Sequence, residues 1–173
     1  MKKRSIRALL GAGAVSAVLV CAGCTPARTP PSLVVFDGLP VSGKSDDARR
    51  AGFSDCVNLD AVHIRCRRHG VTVEHAGPYE AAVDLDGSNG EGGFDELVLW
   101  DDNDNDAVFR LANALEAAGW VRCLTGNGRT GDQALYTLKG SAVRVSLDIS
   151  YWSKRRIRII PDANRREHRC VAK

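Results

Sequence analysis

The segment Gly38-Leu39-Pro40-Val41-Ser42-Gly43-Lys44-Ser45 satisfies the spacing GxxxxGK[ST], in which backbone amides and a lysine ammonium cradle phosphate oxygens. An apolar run, Leu33 to Phe36, precedes it, and Leu97-Val98-Leu99-Trp100-Asp101 has the form of a strand that ends on a Mg²⁺-binding carboxylate. That architecture also requires a helix leading to a crossover and a parallel strand. Gly52 ends the helix after about two turns, and a cysteine-bearing segment follows. A turn leading into a short capped helix accounts for the same residues, so nucleotide binding at 38–45 stands third among the functional readings.

Carboxylates are the second source of chemistry. Between His69 and Phe109 lie eleven acidic residues and no Lys or Arg. Asp84, Asp86, Glu91, Asp95 and Glu96 flank a glycine-rich loop, Gly87 to Gly93, while Asp101, Asp102, Asp104 and Asp106 flank Asn103 and Asn105. Oxygen clusters of this kind suit calcium. Neither run completes an EF-hand: counted from Asp102, the twelfth place holds Asn113 where a bidentate Glu belongs. A solvated loop and a negatively charged helix start explain the same residues, so no metal or cofactor is expected. The acids of 84–106 would also serve an exported hydrolase, which works through carboxylates placed across a cleft; this is the second functional reading.

Other catalytic signals are sparse. His63, His69, His75 and His168 are scattered among charged residues, and neither HExxH nor GxSxG occurs. No catalytic residue is assigned, and the chain reads more as a binding protein than as an enzyme. The C-terminal stretch is basic: Lys154, Arg155, Arg156, Arg158, Arg165, Arg166, Arg169 and Lys173 stand against Asp162 and Glu167. It suits anionic headgroups or an acidic partner, or equally a strand edge that charge protects from aggregation.

The compartment is read from the start of the chain. Lys2, Lys3, Arg4 and Arg7 precede an apolar run from Ala8 to Ala22, and Ala22 and Gly23 precede Cys24. This is the layout of a secretory signal peptide, with a run too short to favour a permanent span. Val20-Cys21-Ala22-Gly23-Cys24 resembles the lipobox of bacterial lipoproteins, with Cys21 where an aliphatic residue usually stands. The resemblance implies that 1–23 is removed and that Cys24, carrying acyl chains such as palmitate, becomes the N-terminus. Thr25 in place of Asp then favours the outer membrane, facing the periplasm; the alternative is ordinary cleavage and a soluble periplasmic protein. Of 24 basic and 21 acidic residues, four basic ones precede Cys24, leaving 20 against 21, a net of −1. The precursor's basic pI therefore gives no support to nucleic-acid binding.

From Cys24 onward there are five cysteines, and lipidation of the first leaves Cys56, Cys66, Cys123 and Cys170. An even number in an oxidising compartment reads as disulfides. Of the three pairings, Cys56–Cys66 and Cys123–Cys170 are favoured, because Cys56 and Cys66 would face each other across a hairpin centred near Ala61. No CxxC or paired-His spacing supports a metal site instead.

The elements that must position these groups are legible. Residues 24–32 are a polar, proline-rich tether, and 33–173 form the domain. Ala51-Gly52-Phe53-Ser54-Asp55-Cys56 matches Ala118-Gly119-Trp120-Val121-Arg122-Cys123, which suggests two weak repeats, about 43–101 and 104–162. A short helix capped by Ser45 carries Asp46 and Asp47 in its first turn and Arg49 and Arg50 in its last, matching the helix dipole. In a second helix, capped by Asp104 or Asn105, Val108, Leu111, Ala112 and Leu115 form one buried stripe that Phe109 widens. Val143, Val145, Leu147, Ile149 and Tyr151 alternate with polar residues as a strand does. Ile157 and Ile159 continue on its partner, with Asp148 opposite Arg158. Further strands are predicted at 63–68, 80–86, 95–100 and 133–138. Helix then antiparallel strands, twice, gives an α+β domain. The layout is similar to the tandem modules of β-lactamase-inhibitor proteins, and more distantly to small outer-membrane assembly lipoproteins. The reading is thus an exported envelope lipoprotein with a non-catalytic interaction domain, held to the membrane by its lipid, with an envelope protein as partner.

Overall fold

The computed structural model describes residues 29–125, 133–149 and 154–162. The chain enters through a ribbon, β1 (Val34–Phe36) and β2 (Leu39–Ser42). Asp37 and Gly38 both have positive φ, as a tight two-residue hairpin requires. Helix α1 (Ser45–Arg50) is followed by β3 (Asp55–Asn58), β4 (His63–Val73), β5 (Ala76–Asp86) and β6 (Leu97–Trp100). Helix α2 (Ala107–Ala117) is followed by β7 (Val121–Leu124), β8 (Gln133–Thr137), β9 (Val143–Asp148) and β10 (Ile157–Pro161). Strands β3 to β10 form one antiparallel sheet in the order β3-β4-β5-β6-β10-β9-β8-β7. The class is α+β, with strand greatly exceeding helix.

Both helices stop in the same way. Gly52 and Gly119 take left-handed φ values of 85° and 87°. The next amide reaches back to the helix, from Phe53 to the Ala48 carbonyl and from Trp120 to the Leu115 carbonyl, while each glycine amide bonds Arg49 or Glu116. This is the Schellman ending, in which glycine avoids a Cβ clash and the following aromatic packs on the last turn. Phe53 and Trp120 are accordingly buried. At the helix starts the caps are Lys44 and Asp106, one residue before Ser45 and two or one beyond the expected Asp104 or Asn105. Asp47 accepts the Lys44 amide at 2.8 Å, the carboxylate half of a capping box.

The strand alternation sorts side chains onto two faces. Val83, Leu97, Leu99, Val145, Leu147, Ile157 and Ile159 are fully buried on one, beneath α2 and the ribbon. Each such side chain contributes about 1.5–3 kcal/mol of burial. The predicted α2 stripe is buried there too, but Phe109 is 40% exposed and lies under the Arg155 guanidinium, so it does not widen the stripe. The ribbon belongs to this layer. Leu39 and Val41 join the core, Gly43 and Phe94 exchange backbone hydrogen bonds of 2.9 Å, and Phe36 meets the edge of Trp120 at 5.5 Å.

Several boundaries and one register differ from expectation. β4 and β5 extend toward each other to Val73 and Ala76 through two irregularities, β6 begins at Leu97, and β1, β2, β3 and β7 add to the predicted strands. Arg158 lies opposite Ser146, not Asp148, whose amide donates to the Arg156 carbonyl. The slip is two residues. It leaves every side chain on its predicted face, so alternation alone does not distinguish the two registers.

Candidate functional site

The phosphate-loop spacing is taken up by other structure. Gly38 closes the ribbon turn, Leu39–Ser42 is extended and buried, and the Gly43 amide goes to Phe94. Anion cradles use successive amides that converge from a bent backbone, whereas this segment is a strand. Its helix is six residues long.

The acidic residues are engaged locally. Asp84 accepts both arms of the Arg65 guanidinium, at 2.7 and 2.6 Å. Asp101 accepts the Asn103 and Asp104 amides at 2.9 and 3.0 Å. Asp104 accepts the Asp106 amide and pairs with Arg110, whose guanidinium holds its carboxyl below the usual range. Asp102 accepts the Trp100 indole at 3.1 Å and pairs with Lys154, which is the main reason its carboxyl is held down. Asp106 pairs with Arg155. Among the described residues no three metal-ligating side chains come together. The acidic belt and the basic stretch therefore pair with each other at Asp102–Lys154 and Asp106–Arg155; Arg165, Arg166, Arg169 and Lys173 lie outside the described residues.

The cysteines divide likewise. Cys56 and Cys66 are directly opposite on β3 and β4 and are disulfide-bonded. Cys123 lies in β7, and its expected partner Cys170 is outside the described residues, as is Cys24.

No described helix lies on the other face of the sheet. One row of it runs Arg67, Ala82, Val98, Arg158, Ser146, Leu135 across six strands. Ala82 is small and its neighbours are long, so a depression of about 220 Å³ forms above it, walled by Arg65, Arg67, His69, Glu80, Trp100 and Arg156, with Lys154 and Asp102 at its side. The Lys154 ammonium lies 5.9 Å from the Trp100 ring centre, within cation–π range. His69 pairs with Glu80, Arg65 with Asp84 and Lys154 with Asp102. Arg67 and Arg156 form no ion pair among the described residues, and the Arg67 Nε is buried without a partner. The depression thus combines excess positive charge with an indole. Beside it, burial pushes the Glu96 carboxyl up, opposed chiefly by Arg158.

A second concavity, of about 710 Å³, lies toward the β7 edge and includes Val121, Leu135, Leu138, Lys139 and Arg144 in its lining. Neither Trp100 nor Arg144 is singled out by motif. Alternation places Arg65 with Arg67 and Arg144 with Ser146 on one face, but their neighbours depend on a strand order in which β6 adjoins β10.

Comparison of the chain with family models, with curated proteins and with solved structures finds no match in any of the three.

Proposed function

We propose that the chain is an exported envelope lipoprotein whose domain, 33–173, binds a partner protein or cell-surface component through the helix-free sheet face around Trp100. In this reading 1–23 is removed, Cys24 is acylated and 24–32 tethers the domain to the outer membrane. The supporting observation is the cationic depression: Trp100 flanked by Arg67 and Arg156, which lack ion-pair partners among the described residues, on a face with no described helix over it. Trp and Arg are the side chains that most often dominate protein interfaces, because each brings large contact area and directional polar groups. Hydrolysis by the acids of 84–106 finds less support, since Asp84, Asp101, Asp102, Asp104 and Asp106 hold arginines, a lysine or backbone amides.

We propose further that 43–101 and 104–162 are two copies of one helix-plus-four-strand module, and that Cys123 pairs with Cys170. Three features support the duplication: the element order α1-β3-β4-β5-β6 against α2-β7-β8-β9-β10, the mirrored halves of the sheet order, and the identical glycine-aromatic endings of both helices.

Mass spectrometry of the purified protein tests the anchor: acylated Cys24 is the expected N-terminus, and an unmodified terminus further along removes it. Cross-linking in native envelopes tests the face. Arg67→Glu and Arg156→Glu should each lose the cross-linked partner without a change in thermal unfolding; undiminished cross-linking by both would exclude this surface.

A further inference from the structure

The concavity near the β7 edge has a different chemistry from the Trp100 depression. Arg144 is the second residue of β9 and lies between Ile160 of β10 and Thr137 of β8. It is 6% exposed, and its Nε is buried with no hydrogen-bond partner. It makes no ion pair or side-chain hydrogen bond among the described residues. Guanidinium does not shed its proton in proteins, and a buried charge without a counter-ion is strongly unfavourable. Buried polar groups with no partner are rare and call for one.

The rest of the cleft narrows the partner. Lys139 is a second cation in the lining. Leu135 is buried but stands apart from the main core cluster, and Val121 and Leu138 are 68% and 38% exposed. Three large apolar side chains therefore meet two cations in one concavity of about 710 Å³, with Asp162, which is engaged in a contact of its own, as the one carboxylate in the lining, so that positive charge remains in excess. That volume lies within the range of small-molecule sites, roughly 300–1,000 Å³. An inorganic anion would leave the apolar wall wet, and a neutral oil would leave Arg144 unpaired.

We infer that this cleft binds an amphiphilic anion, with a carboxylate or phosphate head on Arg144 and Lys139 and an alkyl chain along Val121, Leu135 and Leu138. The inference is independent of the Trp100 surface.

The test uses the full mature chain and four probes below their micelle concentrations: dodecanoate, dodecyl phosphate, dodecanol and acetate. Binding is followed by calorimetry and by amide shifts over residues 133–144. At least one alkyl anion should bind, the tighter naming the head group. Dodecanol should bind about tenfold more weakly or less, because it cannot pair the buried guanidinium, and acetate should not bind measurably. Arg144→Met should abolish the preference for anion over alcohol while raising Tm. Leu138→Asp, at a more exposed position, should weaken every alkyl probe without lowering Tm; it decides the matter if Arg144→Met does not fold. Failure of both alkyl anions to bind the full chain would overturn the inference. Equal affinity for dodecanol, or unchanged affinity in Leu138→Asp, would overturn it too.

Discussion

The two ends of one sheet face treat arginine in opposite ways. On β4, Arg65 has Asp84 directly opposite and is held by two short hydrogen bonds. On β9, Arg144 has Ile160 and Thr137 as its cross-strand neighbours and is more deeply buried. The residue type and the strand period are the same, so the difference comes from the neighbouring strand. Arg65 spends its charge within the fold, whereas neither cross-strand neighbour of Arg144 offers it a counter-charge.

The comparison breaks most severely if the two ends do not share a core. Leu99→Ala on β6 and Leu147→Ala on β9 should each cost about 2–5 kcal/mol, as buried leucine truncations do. A single denaturant transition is expected in both variants; two separated transitions would show that the ends unfold independently. Next in size is the staple that exists at the β3 end. Replacing Cys56 and Cys66 together by Ser should lower stability by about 2.8 kcal/mol on the loop-entropy model, measured by urea denaturation under oxidising conditions.

The arginines sharpen the contrast directly. Arg144→Met should stabilise the unliganded domain by about 1–4 kcal/mol, as replacing buried ionic groups with apolar ones often does. Arg65→Met should instead destabilise, by about 1 kcal/mol or less, because the Arg65–Asp84 pair is partly exposed and screened. Shifts of the same sign in the two variants would erase the distinction. The smallest effect is expected at Glu96. Burial raises its folded-state pKa, so the folded form holds its proton more tightly than the unfolded chain does. Its contribution is fully favourable below the ordinary carboxylate range and is lost as pH rises through the folded value. Glu96→Gln should therefore match the parent near pH 3 and exceed it at pH 7, which thermal melts across that range will measure.

Local order was legible in the sequence because it rests on short-range chemistry. Gly52 and Gly119 mark both helix ends, Val143-Val145-Leu147 marks a strand with one buried face, and the spacing of Cys56 and Cys66 fits their hairpin. What escaped is long-range. Lys154 meets Asp102 across 52 residues, so two stretches that read as separate charged surfaces touch at Asp102–Lys154 and Asp106–Arg155. The Trp100 depression requires β4, β5, β6 and β10 to be neighbours, which no local pattern states. Arg144 falls by alternation on the polar face of its strand, and only the packed sheet places it inside. The phosphate-loop spacing failed for the converse reason: its residues match, but Leu39-Pro40-Val41-Ser42 has the apolar content to join the core as a strand.

The ribbon β1–β2 has a bearing on how far the domain stands from the bilayer. The Ser42 hydroxyl donates to the Ser32 carbonyl at 2.7 Å, fixing the chain where it enters the layer shared with the helices. From Cys24 to Ser32 is eight residues, a leash of about 26–29 Å at full stretch. A domain moored by acyl chains at Cys24 would stay within that reach of the bilayer, like a buoy on a short cord, with the ribbon as the point where the cord is made fast.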